Sequence, residues 1–111
     1  MSYSIRVTPN AVEQIGMIVE YISDTLQVPE TALRWSDFLK KEISKLAEMP
    51  GRYRLVEDAP WHSLGIHVFP VKNFVVYFWI NEAESTVCVT AVVYQRRDQL
   101  GALIDMPLDV M

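Results

Sequence analysis

The chain contains one cysteine and two histidines among its 111 residues. A single thiol, Cys88, cannot form an intramolecular disulfide, so we expect it to be a core residue of a protein in the reducing cytoplasm. The sequence also lacks the His and Cys spacing of a zinc site, a P-loop and a dinucleotide-binding fingerprint. It therefore predicts neither a metal nor another cofactor.

Long apolar runs are absent as well. The longest covers residues 74–80, far below the ~20 residues that a helix needs to cross a bilayer. The N-terminal residues lack the basic and apolar regions of an export signal. We therefore expect a soluble, cytoplasmic protein with no membrane partner.

Positive charge is scarce overall. Ten Lys and Arg stand against 14 Asp and Glu, which gives a formal net charge of -4. Nucleic-acid binding draws much of its affinity from phosphate neutralisation, so this balance argues against binding through a general positive field. A local basic patch is still compatible with the sequence, because five cations fall within residues 40–54: Lys40, Lys41, Lys45, Arg52 and Arg54.

The residue pattern predicts the element order β-α-α-β-β-β. Alternation predicts a strand over residues 3–7, and Thr8 followed by Pro9 predicts the cap and first position of a helix over 9–27. Pro29 opens a second helix, which ends before residues 50–51. Strands are predicted over 65–71, 74–80 and 86–94, and residues 52–64 form a loop with a short extended piece near 54–56.

These elements predict one α+β domain over residues 1–111, with a core at 3–98 and a tail at 99–111. Helices joined by two or three residues fold back as an antiparallel hairpin. We expect this hairpin to pack on one face of a mainly antiparallel four-stranded sheet.

The last strand predicts how that sheet is covered. Its alternation places Val87, Val89, Ala91 and Val93 on a wholly apolar face, and Cys88, Thr90, Val92 and Tyr94 on a mixed one. We expect Val89, Ala91 and Val93 to contact Ile15, Val19, Leu39 and Ile43 of the helices. Because Tyr77, Trp79 and Tyr94 exceed what a sheet with one wet face can bury, we expect either the tail or a partner to cover them.

The same strand runs directly into Tyr94, Gln95, Arg96, Arg97 and Asp98. A guanidinium fork suits a phosphate or a carboxylate, which makes Arg96 and Arg97 candidate recognition residues. The alternative interpretation is a solvated strand end in which Asp98 pairs with them.

The element order, with PNA at 9–11, LGIHVFPV at 64–71 and VVYQRRD at 92–98, resembles the RelE/ParE superfamily of toxins, and most of all its ParE and plasmid stabilisation branch. The resemblance implies a toxin of a type II toxin–antitoxin system, neutralised by a cognate antitoxin in a hetero-oligomer. It also implies a non-hydrolytic inhibitor of DNA gyrase. The alternatives are a RelE-like endonuclease that cleaves mRNA on the ribosome and a non-toxic binding module that retains the fold.

The chain departs from the family pattern at three positions. His67 stands where an arginine is usual, Phe78 where a tyrosine is usual, and Tyr94 where a histidine is usual. If the protein cleaves RNA, the chemistry needs a base, a cation and an acid, for which the candidates are His67, Arg96 and Tyr94 in that order. The candidate residues for binding the antitoxin or the target are Tyr94, Arg96, Arg97, Tyr77 and Trp79.

Overall fold

The structure, a computed structural model, describes residues 2–25, 27, 29–72 and 74–94, with only the backbone described for Thr25 and Tyr94. Its strands and helices follow the predicted order. They are β1 (Ser4–Val7), α1 (Pro9–Glu20), a π-helical segment (Tyr21–Thr25), α2 (Pro29–Ser44), β2 (His67–Val71), β3 (Phe74–Asn81) and β4 (Thr86–Tyr94).

The predicted helix starts are confirmed. The Thr8 hydroxyl accepts a hydrogen bond from the Ala11 amide at 3.3 Å, and Pro9 occupies the first turn. Regular α-helix ends at Glu20, earlier than predicted, and one π-helical segment follows. Gln27 then has a φ of 56°, so the chain has left the helix before Pro29 starts α2, as expected ahead of a proline.

The four strands form a mixed sheet in the order β1-β4-β3-β2. β1 runs parallel to β4, whereas β3 is antiparallel to both β2 and β4. The α1–α2 hairpin packs on one face of this sheet, where Leu39, Ile43 and Phe78 belong to one buried cluster. The predicted α+β architecture is therefore confirmed, with a parallel pair at one edge.

A β-bulge in β4 changes which residues face the helices. Tyr77 pairs with Ala91 and Phe78 pairs with Val89, so Thr90 between them has no cross-strand partner in the register. One inserted residue reverses the alternation of side chains beyond it.

The prediction of which β4 side chains lie on the helix side of the sheet is therefore right before the bulge and wrong after it. Val89 packs on the helix side, whereas Ala91 and Val93 belong to a separate cluster on the opposite face. On α1, Ile15 packs against the helix-side cluster as predicted, and Ile18 takes the place expected for Val19.

The opposite face of the sheet is covered by the loop between α2 and β2. Val56, Trp61 and Ile66 from this loop pack against Tyr77, and Trp79 lies at the margin of their cluster. The expectation that the tail or a partner covers Tyr77 is therefore wrong, because the chain's own loop buries it. No helix in the described parts of the chain is long and apolar enough to cross a membrane.

The predicted extended piece within that loop is also present. The Val68 amide donates to the Arg54 carbonyl at 2.8 Å, and the Val56 amide donates to the Ile66 carbonyl at 2.8 Å. These hydrogen bonds place residues 54–56 along the outer edge of β2.

Candidate functional site

A groove of about 370 Å³ opens between β1, α1 and α2. Its floor is apolar and includes Leu39 and Ile43, which are buried, while the side chain of Val12 at its margin is 56% exposed. Among the residues that the structure describes, Lys40 alone contributes a charge to the lining. The lining residues are Ile5, Val7, Val12, Ile15, Ser36, Leu39, Lys40, Ile43 and Ser44. An exposed apolar groove of this kind commonly marks a partner site.

Polar side chains of α1 close the edge of β4 beyond the end of β1. The Asn10 amide donates to the Thr90 carbonyl at 2.9 Å, and the Val92 amide donates to the Gln14 side-chain oxygen at 2.8 Å. These two side chains take the place of a neighbouring strand. They form hydrogen bonds with backbone groups of β4 that lie beyond the end of β1.

Tyr77 does not lie on an open surface. Its side chain is 3% exposed, and burial raises the pKa of its hydroxyl, an effect that the positive charge of Arg54 partly opposes. A partner could reach this ring only by displacing the loop above it.

Trp79 is half-buried beside the same cluster, so part of its ring lies at the surface. Its indole nitrogen is buried and has no hydrogen-bond partner among the residues that the structure describes. Of the two aromatic residues predicted for binding in β3, only Trp79 offers a surface.

His67 lies at the start of β2 in a fixed orientation. Its Nδ1 is 2.7 Å from the Tyr53 carbonyl oxygen, and its ring stacks on Phe78 with centroids 5.0 Å apart. Since a carbonyl can only accept, Nδ1 is the donor of this contact, and in the neutral ring Nε2 is then the acceptor nitrogen.

Arg52 places a cation on the side chain of Tyr53, the residue whose carbonyl contacts His67. Its guanidinium lies 5.0 Å from the centroid of the Tyr53 ring and donates to the Tyr53 hydroxyl at 3.0 Å. The sequence indicated Arg52 only as part of a basic patch. The contact of Tyr53 with His67 follows from the 54–56 piece along β2, and it could not be derived from the spacing of the two residues.

Comparison with known proteins identifies the family. Residues 5–99 match the family model described as ParE toxin of type II toxin–antitoxin system, parDE. The chain belongs to the ParE toxin family. The predicted recognition is thereby confirmed, while no curated protein matches the sequence significantly.

Solved structures share the fold of this ParE toxin at low sequence identity. The chromosomal ParDE system of P. aeruginosa matches with a TM-score of 0.70 and 15% identity, covering 84% of this chain and 96% of that one. The RelBE2 complex of Mycobacterium tuberculosis matches at 0.60 and 15%, covering 85% and 99%. A RelE variant of E. coli with two arginine-to-alanine substitutions, in the free state, matches at 0.54 and 14%, covering 92% and 93%.

Two departures of this ParE toxin from the expected family pattern lie side by side. His67 and Phe78 are cross-strand partners in β2 and β3, and their rings stack. The arginine–tyrosine pair that the resemblance implies for these positions would make a polar contact, whereas His67 and Phe78 stack their rings.

The remaining predicted residues follow or end β4. The backbone of Tyr94 pairs with Phe74, and its side chain lies outside the description. Arg96 and Arg97 fall outside the described residues altogether. Their predicted roles remain predictions.

The described part of the toxin contains no group of three or more metal-ligating side chains. Cys88 is buried, and this burial raises the pKa of its thiol.

Proposed function

We propose that this ParE-family toxin arrests growth by inhibiting DNA gyrase in the cytoplasm, by binding rather than by hydrolysis. The match of residues 5–99 to the ParE family is the observation that carries this proposal. Inhibition by binding needs a surface and no general base. Inhibition by binding is therefore compatible with His67 and Phe78, which stand where the resemblance implies an arginine and a tyrosine.

The charge of the chain supports the same choice of target. A ribosome-dependent nuclease must approach a dense array of phosphates, where affinity rises with the number of cations that neutralise them. The formal net charge of -4 opposes such an approach. A target whose contact surface is protein does not impose this requirement.

We further propose that a cognate antitoxin, encoded by the neighbouring reading frame, neutralises the toxin in a hetero-oligomeric complex. The groove between β1, α1 and α2 offers such a partner an apolar surface, with Lys40 to pair with an acidic side chain. The opposite face of the sheet is the weaker candidate, since the loop around Trp61 already covers most of it.

Arg96, Arg97 and Tyr94 are proposed to extend the antitoxin or target contact. Calorimetric titration of the antitoxin against an Arg96→Ala, Arg97→Ala double variant tests this proposal, with exposed Arg34→Ala on α2 as the control. We expect a loss of binding free energy of ~2–5 kcal/mol if the pair is buried on binding. Unchanged affinity would remove the arginine pair from the antitoxin site.

Induced expression without the neighbouring reading frame tests the function itself. We expect filamentation and a DNA-damage response while amino-acid incorporation continues, and growth restored by co-expression of the antitoxin. Prompt loss of translation with cleaved mRNA would contradict gyrase inhibition. Normal growth would favour the non-toxic binding module.

RelE-like cleavage of mRNA is the second candidate, and the fixed orientation of His67 favours it. In the neutral ring its Nε2 is available to accept a proton, and Arg52 places a cation on Tyr53, whose carbonyl contacts His67. Such a base and cation could activate a 2′-hydroxyl and stabilise a phosphate. Cleavage by the wild type that is lost in His67→Ala and retained in the loop variant His62→Ala would support this candidate.

A further inference from the structure

We propose that DNA gyrase docks on a patch of the sheet face opposite the helices, with Trp79 as its aromatic anchor and Arg6 as its cation. The inference rests on the proposed inhibition of gyrase and names the surface of the toxin that makes the contact. We call this surface the Trp79 patch.

A cross-strand row of side chains defines the Trp79 patch. Arg6 of β1 pairs with Cys88 of β4, and Cys88 pairs with Trp79 of β3. Residues directly opposite each other in neighbouring strands have their side chains on the same face of the sheet. Trp79 packs against the cluster on the loop side, whereas Ile5 and Val7, on either side of Arg6, pack on the helix side. The row therefore lies on the face opposite the helices.

The loop between α2 and β2 leaves this part of the face open. Trp61 of the loop packs in one cluster with Tyr77, two residues before Trp79. Arg6 is exposed and Trp79 is half-buried. The adjoining row is uncharged, polar and at least partly exposed, and it consists of Ser4, Thr86 and Asn81. Tryptophan and arginine within such polar surroundings are the residue types in which binding hot spots are richest.

The indole of Trp79 is a second, independent observation. Its nitrogen is buried and has no hydrogen-bond partner among the residues that the structure describes, although a buried indole N–H usually finds an acceptor. An unpaired buried donor makes the position of the ring in the free toxin less favourable. Because part of the ring lies at the surface, rotation of the side chain can bring its N–H to an acceptor on a partner. Binding then gains a hydrogen bond that the free toxin lacks.

The charges around the Trp79 patch favour a protein surface over a nucleic acid. Arg6 forms no ion pair within the described residues. The carboxylates of the adjoining β3–β4 turn are engaged elsewhere, since Tyr3 donates to Glu82 at 2.7 Å and Asn81 donates to Glu84 at 3.0 Å. One cation beside two carboxylates is poorly suited to a run of phosphates. The fitting gyrase segment therefore offers one carboxylate to Arg6 and one acceptor to the indole.

Replacing Trp79 by Phe separates binding from stability. The variant keeps an aromatic ring and removes the unpaired N–H, so it should melt no lower than the wild type. Its affinity for purified DNA gyrase, measured by surface plasmon resonance, should fall by about 10-fold, which corresponds to one hydrogen bond. Trp61→Phe makes the same change under the loop. We expect this control to melt lower and to bind gyrase like the wild type.

Reversing the charge of Arg6 tests the cation independently. Arg6→Glu should bind gyrase about 10-fold more weakly or worse, whereas Arg34→Glu, an exposed site on α2, should not. The difference between these two variants should shrink as salt is added, because an ion pair at an accessible surface is screened. Affinity for the antitoxin should be the same in both Trp79→Phe and Arg6→Glu as in the wild type.

The outcomes separate this inference from the function on which it rests. Wild-type affinity for gyrase in a folded Trp79→Phe variant, or in Arg6→Glu, would overturn the inference, while inhibition of gyrase by the wild type would still support the function. If Trp79→Phe does not fold, Arg6→Glu decides alone. Weaker binding of the antitoxin with unchanged binding of gyrase would assign the Trp79 patch to the antitoxin and overturn the inference. Absence of gyrase binding by the wild type would contradict the proposed function itself.

Discussion

Replacing Gln14 by Ala should destabilise the toxin through one backbone group. The Val92 amide donates to the Gln14 side-chain oxygen at 2.8 Å, and Val92 is only 2% exposed. Truncation therefore leaves a buried amide without its acceptor, which costs about 1–3 kcal/mol. For a chain of this size each kcal/mol corresponds to roughly 5 °C in melting temperature.

Urea and thermal unfolding followed by circular dichroism measure this loss. Glu13→Ala is the matched control, because Glu13 is its exposed neighbour on the same helix and both changes alter helix propensity little. Gln14→Glu keeps an acceptor oxygen and should lose less stability than Gln14→Ala. Equal stability of Gln14→Ala and Glu13→Ala would refute the conclusion that this side chain closes the β4 edge.

Three further changes test the core and its titrating groups. Trp61→Ala should lower the free energy of unfolding by about 3–5 kcal/mol in urea titration, because it uncovers the second face of the sheet. Val89→Asp buries an unpaired charge and should abolish cooperative melting, so a soluble variant that melts cooperatively would contradict the assigned facing. Burial raises the pKa values of Tyr77 and Cys88 above their ordinary 10.0 and 9.0, so their contribution to stability is complete below those values. It should be lost as pH rises through the folded-state pKa values, which a melting series from pH 8 to about 11 would detect.

The order of elements could be predicted because local signals mark its boundaries. Thr8 with Pro9 and the Val28–Pro29 pair fix the helix starts, since their effects act within a few residues. Beyond Thr90, the face of the sheet on which each β4 side chain lies could not be predicted. Alternation assumes an unbroken period of two, and an inserted residue leaves no mark in the apolar pattern around it.

The candidate site was less predictable than the fold. Tyr77 and Trp79 were expected to be alike, yet the loop buries one and leaves the other half-exposed, because loop placement depends on tertiary packing. The groove lies beside β1, and the position of β1 at one edge of the sheet follows from the strand order. His67 was identified by type and position, while its contact with the Tyr53 carbonyl required the fold.

A supercoiling assay with purified DNA gyrase tests the central claim most directly. The account predicts that the toxin inhibits supercoiling of a relaxed plasmid, that prior addition of the antitoxin restores it, and that mRNA on translating ribosomes stays intact at the same toxin concentration. Unimpaired supercoiling together with cleaved mRNA would contradict the account and assign the toxin to RNA cleavage.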